Sequence, residues 1–197
     1  MSVAIVKYNA GNVFSVQCAL QRIGVEAVIT DDFDALRAAD KVIFPGVGEA
    51  STAMDYLRQR GLDEVIKGLT QPVLGICIGL QLLCRSSEEG DAQCMGIFDL
   101  DIKRFDNVEC PELKNPHMGW NTIDVKPNAL IPASLQDAYV YYVHSFYAPV
   151  GKETIAVTDY ITPFSAALQR DNFFATQFHP EKSGDVGETI LKQFMAL

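Results

Sequence analysis

The 197-residue sequence predicts an α/β fold, a mostly parallel central sheet with helices on both faces and an antiparallel extension. In the first half, short and nearly all-apolar runs alternate with segments of helical apolar spacing, which is typical of a parallel sheet covered on both faces. In the second half, strand-like runs follow one another with few helices between them. We expect residues 1–197 to form a single domain.

The first half contains four predicted strands, each a short apolar run: residues 3–6, 27–29, 42–44 and 73–76. Helical spacing or helix-capping residues predict the helices between them: residues 13–23, a helix that begins at Asp31 and Asp32, residues 49–60, and residues 78–84. Gly24 and Gly61 end the first and third of these helices. Residues 45–48, Pro-Gly-Val-Gly, are predicted to form a loop.

The second half contains five strand-like runs: residues 120–125, 139–144, 155–158, 166–169 and 173–178. Residues 170–172 are predicted to form a hairpin turn. A last helix is expected to begin at Asp185, with Glu188 completing a capping box. The sequence has no linker, repeat or low-complexity segment.

The composition argues against several classes of partner. Sixteen basic residues against 25 acidic ones give a net charge of −9, so no basic stripe is present for nucleic acid or an anionic membrane surface. No run approaches the roughly 20 apolar residues that a membrane span needs. The five cysteines are odd in number, and no signal peptide is recognisable, which predicts reduced thiols in a soluble, cytoplasmic protein.

The sharpest local feature is a cysteine between two glycines, at the turn from strand to helix. Gly75, Cys77 and Gly79 have the spacing of a nucleophile elbow, in which small neighbours let the backbone approach closely. The N-terminus of the following helix offers free N–H groups and a positive dipole end, which favour a thiolate. A core cysteine flanked by packing glycines explains the pattern equally well, since cysteine is often buried.

A second feature is His179-Pro180-Glu181, which follows a strand rich in aromatic residues. A histidine with a carboxylate two residues later suits a general base and the group that orients it. The two features lie far apart in the sequence, so their contact in space is left open, and a surface turn is the alternative. Zinc is less favoured, because no Cys-x-x-Cys pair exists and the histidines are widely spaced. We expect no metal and no cofactor.

A third feature is the loop of residues 45–48. Its two glycines, Gly46 and Gly48, allow positive φ angles, and its N–H groups suit an oxyanion or a carboxylate. The loop lacks the lysine and the spacing of a phosphate-binding loop. A plain tight turn is the alternative interpretation.

Together these features resemble the class I, triad-type glutamine amidotransferases, which combine Gly-x-Cys-x-Gly-x-Gln and His-Pro-Glu on an α/β fold with flavodoxin-like layers. The sequence matches both motifs at every position: Gly75, Cys77, Gly79, Gln81, His179, Pro180 and Glu181. One departure lies near the N-terminus, where Tyr8-Asn9-Ala10-Gly11-Asn12 stands in place of the family's Tyr-Gly-x-Gly-Asn.

The resemblance implies a role for each of these residues. Cys77 attacks the side-chain amide carbon of glutamine, His179 passes the thiol proton to the departing nitrogen, and Glu181 orients His179. The backbone N–H of Ile78 and a second donor at Val47 form the oxyanion hole. The positions implied to hold the substrate are Gly48, Gln81, Ser145 and Phe146.

Four stretches resemble one branch of this family, in which the glutaminase supplies ammonia for histidine biosynthesis: residues 45–48, 116–121, 143–145 and 182–183. The branch implies a heterodimer with a (β/α)₈-barrel cyclase, which receives ammonia through an internal channel and makes imidazole glycerol phosphate and aminoimidazole carboxamide ribotide. The implied interface residues are Asn12, Met118, Trp120, Asn121 and Lys182. A core position is the alternative for Trp120, and strand packing is the expected role of Tyr139, Tyr141 and Tyr142.

Two other functions remain open. A stand-alone cysteine hydrolase or deglycase of the related elbow-cysteine fold shares the elbow, but it usually lacks His-Pro-Glu with the helix that follows. A non-enzymatic binding module with a relic triad is the third possibility, and the intact Cys77, His179 and Glu181 argue against it.

Overall fold

The computed structural model describes residues 1–9 and 12–197. Ala10 and Gly11, in the segment that departs from the family pattern, lie outside the described residues. Helices α1 to α6 of the described chain are Val13–Arg22, Phe33–Ala38, Ala50–Gln59, Leu62–Lys67, Ile78–Leu83 and Gly184–Ala196. Strands β1 to β14 are Val3–Val6, Ala27–Thr30, Lys41–Gly46, Val73–Cys77, Ser86–Ser87, Ala92–Gln93, Asp101–Arg104, His117–Thr122, Asp124–Val125, Tyr139–His144, Phe146–Tyr147, Thr154–Thr158, Phe164–Arg170 and Phe173–Thr176.

The largest sheet has eight strands in the order β2-β1-β3-β4-β14-β13-β12-β9. The first five strands run parallel to their neighbours, and the last three pair antiparallel. This architecture confirms the predicted fold class, including the antiparallel extension. The predicted hairpin is present too, since β13 ends at Arg170, β14 begins at Phe173, and Asp171 has a positive φ of 52°.

Helices cover both faces of this sheet because its buried strands are apolar on both sides. On one face, Val42 and Phe44 of β3 belong to the same apolar cluster as Met54 and Leu57 of α3. On the other face, Ile43 belongs to a second cluster that contains buried residues of α1 and α6: Val16, Ala19, Leu20, Ile190, Leu191 and Phe194. Alternate side chains of one strand therefore enter different layers of the core.

The described chain also forms two smaller sheets, in which β10 coincides with the predicted strand of residues 139–144 and β8 overlaps the predicted run of residues 120–125. Strands β8 and β10 form an antiparallel pair, and β11, β7, β5 and β6 form a four-stranded sheet in that order. The prediction of one strand over residues 120–125 is wrong. Strand β8 ends at Thr122, the buried Ile123 separates the two strands, and Asp124 and Val125 join the main sheet as β9.

Three local predictions are also corrected. Pro45 and Gly46 belong to β3 and not to the loop, and the sequence pattern does not predict helix α4. The last helix begins at Gly184, so Asp185 lies in its first turn and the predicted capping box is wrong. Glu188 instead forms an ion pair with Arg22, at 2.9 Å between Nε and Oε1. Among the helices described, none has the length and apolar content that a bilayer crossing requires.

Candidate active site

The site lies at the carboxyl ends of three adjacent parallel strands, β3, β4 and β14. Gly46 at the end of β3 is directly opposite Cys77 at the end of β4. Thr176 ends β14, three residues before His179, and β14 pairs with the other side of β4. The carboxyl ends of parallel strands share one edge of the sheet, so features far apart in sequence meet there.

Cys77 occupies a sharp turn between β4 and α5, with φ 55° and ψ −107°. This left-handed backbone is rare for a residue with a side chain. The glycine at 79 is required by a close approach, since a Cβ atom there would lie 2.0 Å from the carbonyl oxygen of Phe44. A Cβ at Gly75 would lie 2.8 Å from Leu83 Cδ1. The geometry is that of the predicted elbow.

His179 and Glu181 form a buried pair. The His179 Nδ1 and Glu181 Oε1 atoms are 2.7 Å apart, and both side chains are fully shielded from solvent. The surface-turn alternative is therefore wrong. The other ring nitrogen of His179, Nε2, is buried and has no hydrogen-bond partner within residues 1–9 and 12–197. That nitrogen is thus available to exchange a proton with a neighbouring group.

The pKa of His179 reflects opposing effects. Burial lowers the pKa, but negative charge on Cys77 and the hydrogen-bonded carboxylate of Glu181 raise it more, to about 10 from the ordinary 6.5. The sulfur of Cys77 and the ring of His179 are therefore near enough to interact electrostatically. An imidazolium beside a thiolate is the arrangement that a cysteine nucleophile needs.

The turn that carries His179 is fixed by strand β10 and by Ser183. The His179 N–H donates to the carbonyl of Tyr141 at 3.0 Å, and Ser183 Oγ donates to the carbonyl of His179 at 2.7 Å. The same Oγ accepts from the Tyr141 N–H at 3.0 Å. Asn12 donates its side-chain N–H to Glu181 Oε1, a contact inside the site for a residue predicted to lie at the interface.

A cavity of about 350 Å³ opens beside Cys77. The predicted oxyanion and substrate residues all line it: Val47, Gly48, Ile78, Gln81, Ser145 and Phe146. Glu89 lines it as well, and within the described chain no other charged side chain does. Burial raises the pKa of Glu89, and the nearby Glu49 adds to this rise. Helix α5 begins next to the cavity, with Cys77 as its N-cap.

A further residue of the site, which the sequence pattern does not predict, is Gln177, buried between β14 and His179. Its Nε2 donates to Cys77 Sγ at 3.8 Å, and its Oε1 accepts from Gln81 Nε2 at 3.2 Å. Gln81 also donates to the carbonyl of Phe146 at 3.1 Å. The only sequence signal for Gln177 is its position two residues before the histidine, which does not reveal a contact with the distant Cys77.

The other two histidines, widely spaced in the sequence, meet in space. His117 Nδ1 and His144 Nε2 are 3.0 Å apart, on the paired strands β8 and β10. His144 also lines the cavity. Within the described residues, no group of three side chains suited to hold a metal ion is present.

The outer side of the β8–β10 pair is apolar and exposed. Met118, Trp120 and Tyr139 have exposed fractions of 64%, 56% and 60%, so the core alternative for Trp120 and the packing role expected for Tyr139 are wrong. Tyr142 is buried, as predicted. Lys182 places its Nζ 5.9 Å from the ring centre of Tyr141 on the same side. We call Met118, Trp120, Tyr139, Tyr141 and Val143 the outer face.

Asn121 is turned the other way. Its Nδ2 donates to the carbonyl of Asp159 at 2.9 Å, and its Oδ1 accepts from the N–H of Thr122 at 2.8 Å. The side chain is therefore used inside the chain, and its place at an interface stays a prediction.

Comparison with known proteins identifies the class. The sequence profile of the class-I glutamine amidotransferase family matches residues 4–197, so the chain belongs to that family. It is 61% identical over 197 residues to imidazole glycerol phosphate synthase subunit HisH of Bacteroides fragilis strain YCH46, with 100% of both chains covered. It is 44% identical over 199 residues to the same subunit of Escherichia coli strain K12, again over 100% of both. Within the class, the chain therefore belongs to the HisH family.

The structural comparison shows the same fold. A crystal structure of a glutamine amidotransferase superimposes with a TM-score of 0.76 at 18% identity, covering 100% of this chain and 98% of that one. Membership of the family favours an amidotransferase over the stand-alone cysteine hydrolase.

The charge state of His179 is testable by NMR. We expect its imidazole to remain protonated at pH 8, and its titration midpoint to fall in Cys77→Ala and, by less, in Glu181→Gln, because each variant removes a negative neighbour. The measurement is a pH titration of ¹⁵N-labelled histidine side chains. His117 and His144, whose pKa values burial lowers to about 4 and about 3, serve as internal controls that stay neutral at pH 6. An unchanged His179 midpoint in both variants would contradict the assigned contacts.

Proposed function

We propose that residues 1–197 act as one glutaminase domain in which Cys77, His179 and Glu181 are nucleophile, general base and orienting group. The observation that carries the proposal is the buried His179–Glu181 pair, in which Nε2 of His179 has no hydrogen-bond partner within the described residues. Family membership supports glutamine as the substrate.

The proposed reaction has two halves. The thiol proton of Cys77 first passes to Nε2 of His179, which gives the thiolate–imidazolium pair, and Sγ then attacks the side-chain amide carbon of glutamine. Collapse of the tetrahedral intermediate breaks the C–N bond, and His179 gives the proton to the nitrogen, which leaves as ammonia. Water then attacks the thioester with the help of His179, releases glutamate and restores the thiol. The N–H groups of Ile78 and Val47 are the proposed oxyanion donors, each worth on the order of 10²–10³ in rate.

The cavity supports an amino-acid substrate. Glu89 supplies a carboxylate on its wall, which suits the α-ammonium group of glutamine. Gly48, Ser145 and Phe146 also line the cavity. Their backbone groups and the Ser145 hydroxyl suit the remaining polar atoms of the substrate. Gln81 lies on helix α5, and its side-chain N–H groups already donate to the carbonyl of Phe146 and to Oε1 of Gln177. We therefore expect Gln81 to support the cavity wall.

Its relatives are named as subunits of imidazole glycerol phosphate synthase, which implies a partner subunit. We propose that this partner is a (β/α)₈-barrel cyclase, that it covers the outer face, and that ammonia passes to it through a channel. Val143 supports the location, because it belongs to the outer face and also lines the cavity. Ammonia released beside Cys77 then reaches the partner by a short path. The cytoplasmic location predicted from the reduced cysteines accords with this proposal, and all five thiols are free.

Glutamine hydrolysis tests the triad. We expect Cys77→Ala to abolish glutamate release and labelling by a diazo-ketone analogue of glutamine, while Cys18→Ala, a change at an exposed thiol, retains both. Turnover is measured alone and with the cyclase and its nucleotide ligand, which we expect to raise it. Activity in Cys77→Ala would refute the nucleophile assignment, and an inert Cys77 in the wild-type complex would favour the relic triad.

Partner binding tests the outer face. We expect Trp120→Ala to weaken binding of the cyclase by about 30-fold, the size of a typical hot-spot loss of about 2 kcal/mol, because a half-exposed tryptophan on an apolar strand pair is a strong anchor. Val28→Ala, at an exposed position on the edge strand β2, is the matched control. Isothermal titration calorimetry gives both dissociation constants, and equal values would place the interface elsewhere.

A further inference from the structure

Three side chains form a continuous hydrogen-bonded row beneath the outer face. His144 Nδ1 lies 2.8 Å from the carbonyl oxygen of Phe146, and His144 Nε2 lies 3.0 Å from His117 Nδ1. His117 Nε2 lies 3.4 Å from Nδ2 of Asn121. His117 and His144 are buried, and the glutaminase mechanism uses neither of them.

The groups at the two ends of this row, the Phe146 carbonyl and the Asn121 amide, determine which atom donates in each hydrogen bond. A carbonyl oxygen only accepts, so Nδ1 of His144 carries the proton and its Nε2 is an acceptor. His117 must then donate from Nδ1, which leaves its own Nε2 to accept from Asn121. The amide of Asn121 fits this direction, because Nδ2 also donates to Asp159 and Oδ1 accepts from Thr122. Burial lowers the pKa of both imidazoles, which keeps them neutral as the row requires.

The row ends at a carbonyl that the substrate cavity depends on. The Phe146 oxygen accepts from His144 Nδ1 and also from Nε2 of Gln81 on α5, the helix that begins beside Cys77. This one oxygen therefore joins the wall of the cavity to the helix behind the nucleophile. Ser145 and Phe146 form that wall.

We propose that His144, in the tautomer imposed by His117 and Asn121, is a positioning residue that holds residues 145–146 in the geometry that binds glutamine. The inference rests on the proposed function, since it assigns a role within the same site. His144 acts through the backbone of Phe146, so its loss raises KM for glutamine more than it lowers kcat. The intrinsic reactivity of Cys77 does not depend on it.

Two substitutions of His144 distinguish the contact made by Nδ1 from the contact made by Nε2. In His144→Asn the amide nitrogen replaces Nδ1 and retains donation to Phe146. In His144→Gln the amide replaces Nε2 and retains only the contact with His117. We expect KM to rise about 10-fold in His144→Gln, the effect of one lost buried hydrogen bond, and by less than about 3-fold in His144→Asn. Both are assayed in complex with the cyclase.

Two further measurements distinguish positioning from general destabilisation. The rate of Cys77 alkylation by iodoacetamide, which makes no use of the substrate-binding wall, should match the wild type in both variants. In the wild-type protein, ¹⁵N NMR should show both His144 and His117 as neutral Nδ1-protonated tautomers. An Nε2-protonated His144, or equal KM values in the two variants, would overturn the inference.

Failure of the proposed function gives a different result. A wild-type complex that hydrolyses no glutamine and leaves Cys77 unlabelled overturns the glutaminase itself. An active wild type with KM unchanged in His144→Gln overturns only the positioning role.

Discussion

The left-handed backbone at Cys77 is the constraint on which the rest of the site depends. A φ of 55° is unfavourable for any residue with a side chain, and such strain persists only where the surroundings enforce it. Here the enforcement is steric: α5 approaches β3 so closely that Gly79 touches the carbonyl of Phe44. A methyl group at position 79 would force these elements apart, at a cost of about 1–3 kcal/mol. Cys77, at the end of β4, lines the cavity.

The strand pair β8–β10 positions His179 beside that thiol. The paired strands β8 and β10 carry the outer face, and the backbone of β10 also contacts the turn that contains His179. Tyr141 illustrates the link, because its backbone bonds to His179 and Ser183 while its side chain belongs to the outer face. The same strand continues into His144 and the wall of the cavity. Part of the outer face, the backbone contact to His179 and the start of the cavity wall therefore lie on or directly after one strand, β10.

The sequence predicts those parts of the molecule that depend on residues close together in the chain. The parallel strands are short apolar runs, the elbow is three residues of fixed spacing, and the His179–Glu181 pair lies within three residues. Contacts between distant segments are not predictable in this way. Gln177 meets Cys77 and Asn12 meets Glu181 only because β4, β14 and α1 come together in the fold. Residues 120–125 are strand-like throughout, and nothing in this run indicates that the chain changes sheets at Ile123.

The most direct test of this account is a crystal structure of the protein after reaction with a glutamine analogue that alkylates cysteine. The account predicts a covalent bond from Cys77 Sγ to the analogue within the cavity, with Cys77 still in its left-handed conformation. It also predicts the analogue's oxygen within about 3.2 Å of the N–H of Ile78, as an oxyanion donor requires. An adduct on another cysteine, or an oxygen directed away from Ile78, would contradict the claim that the strained turn at Cys77 builds the active site.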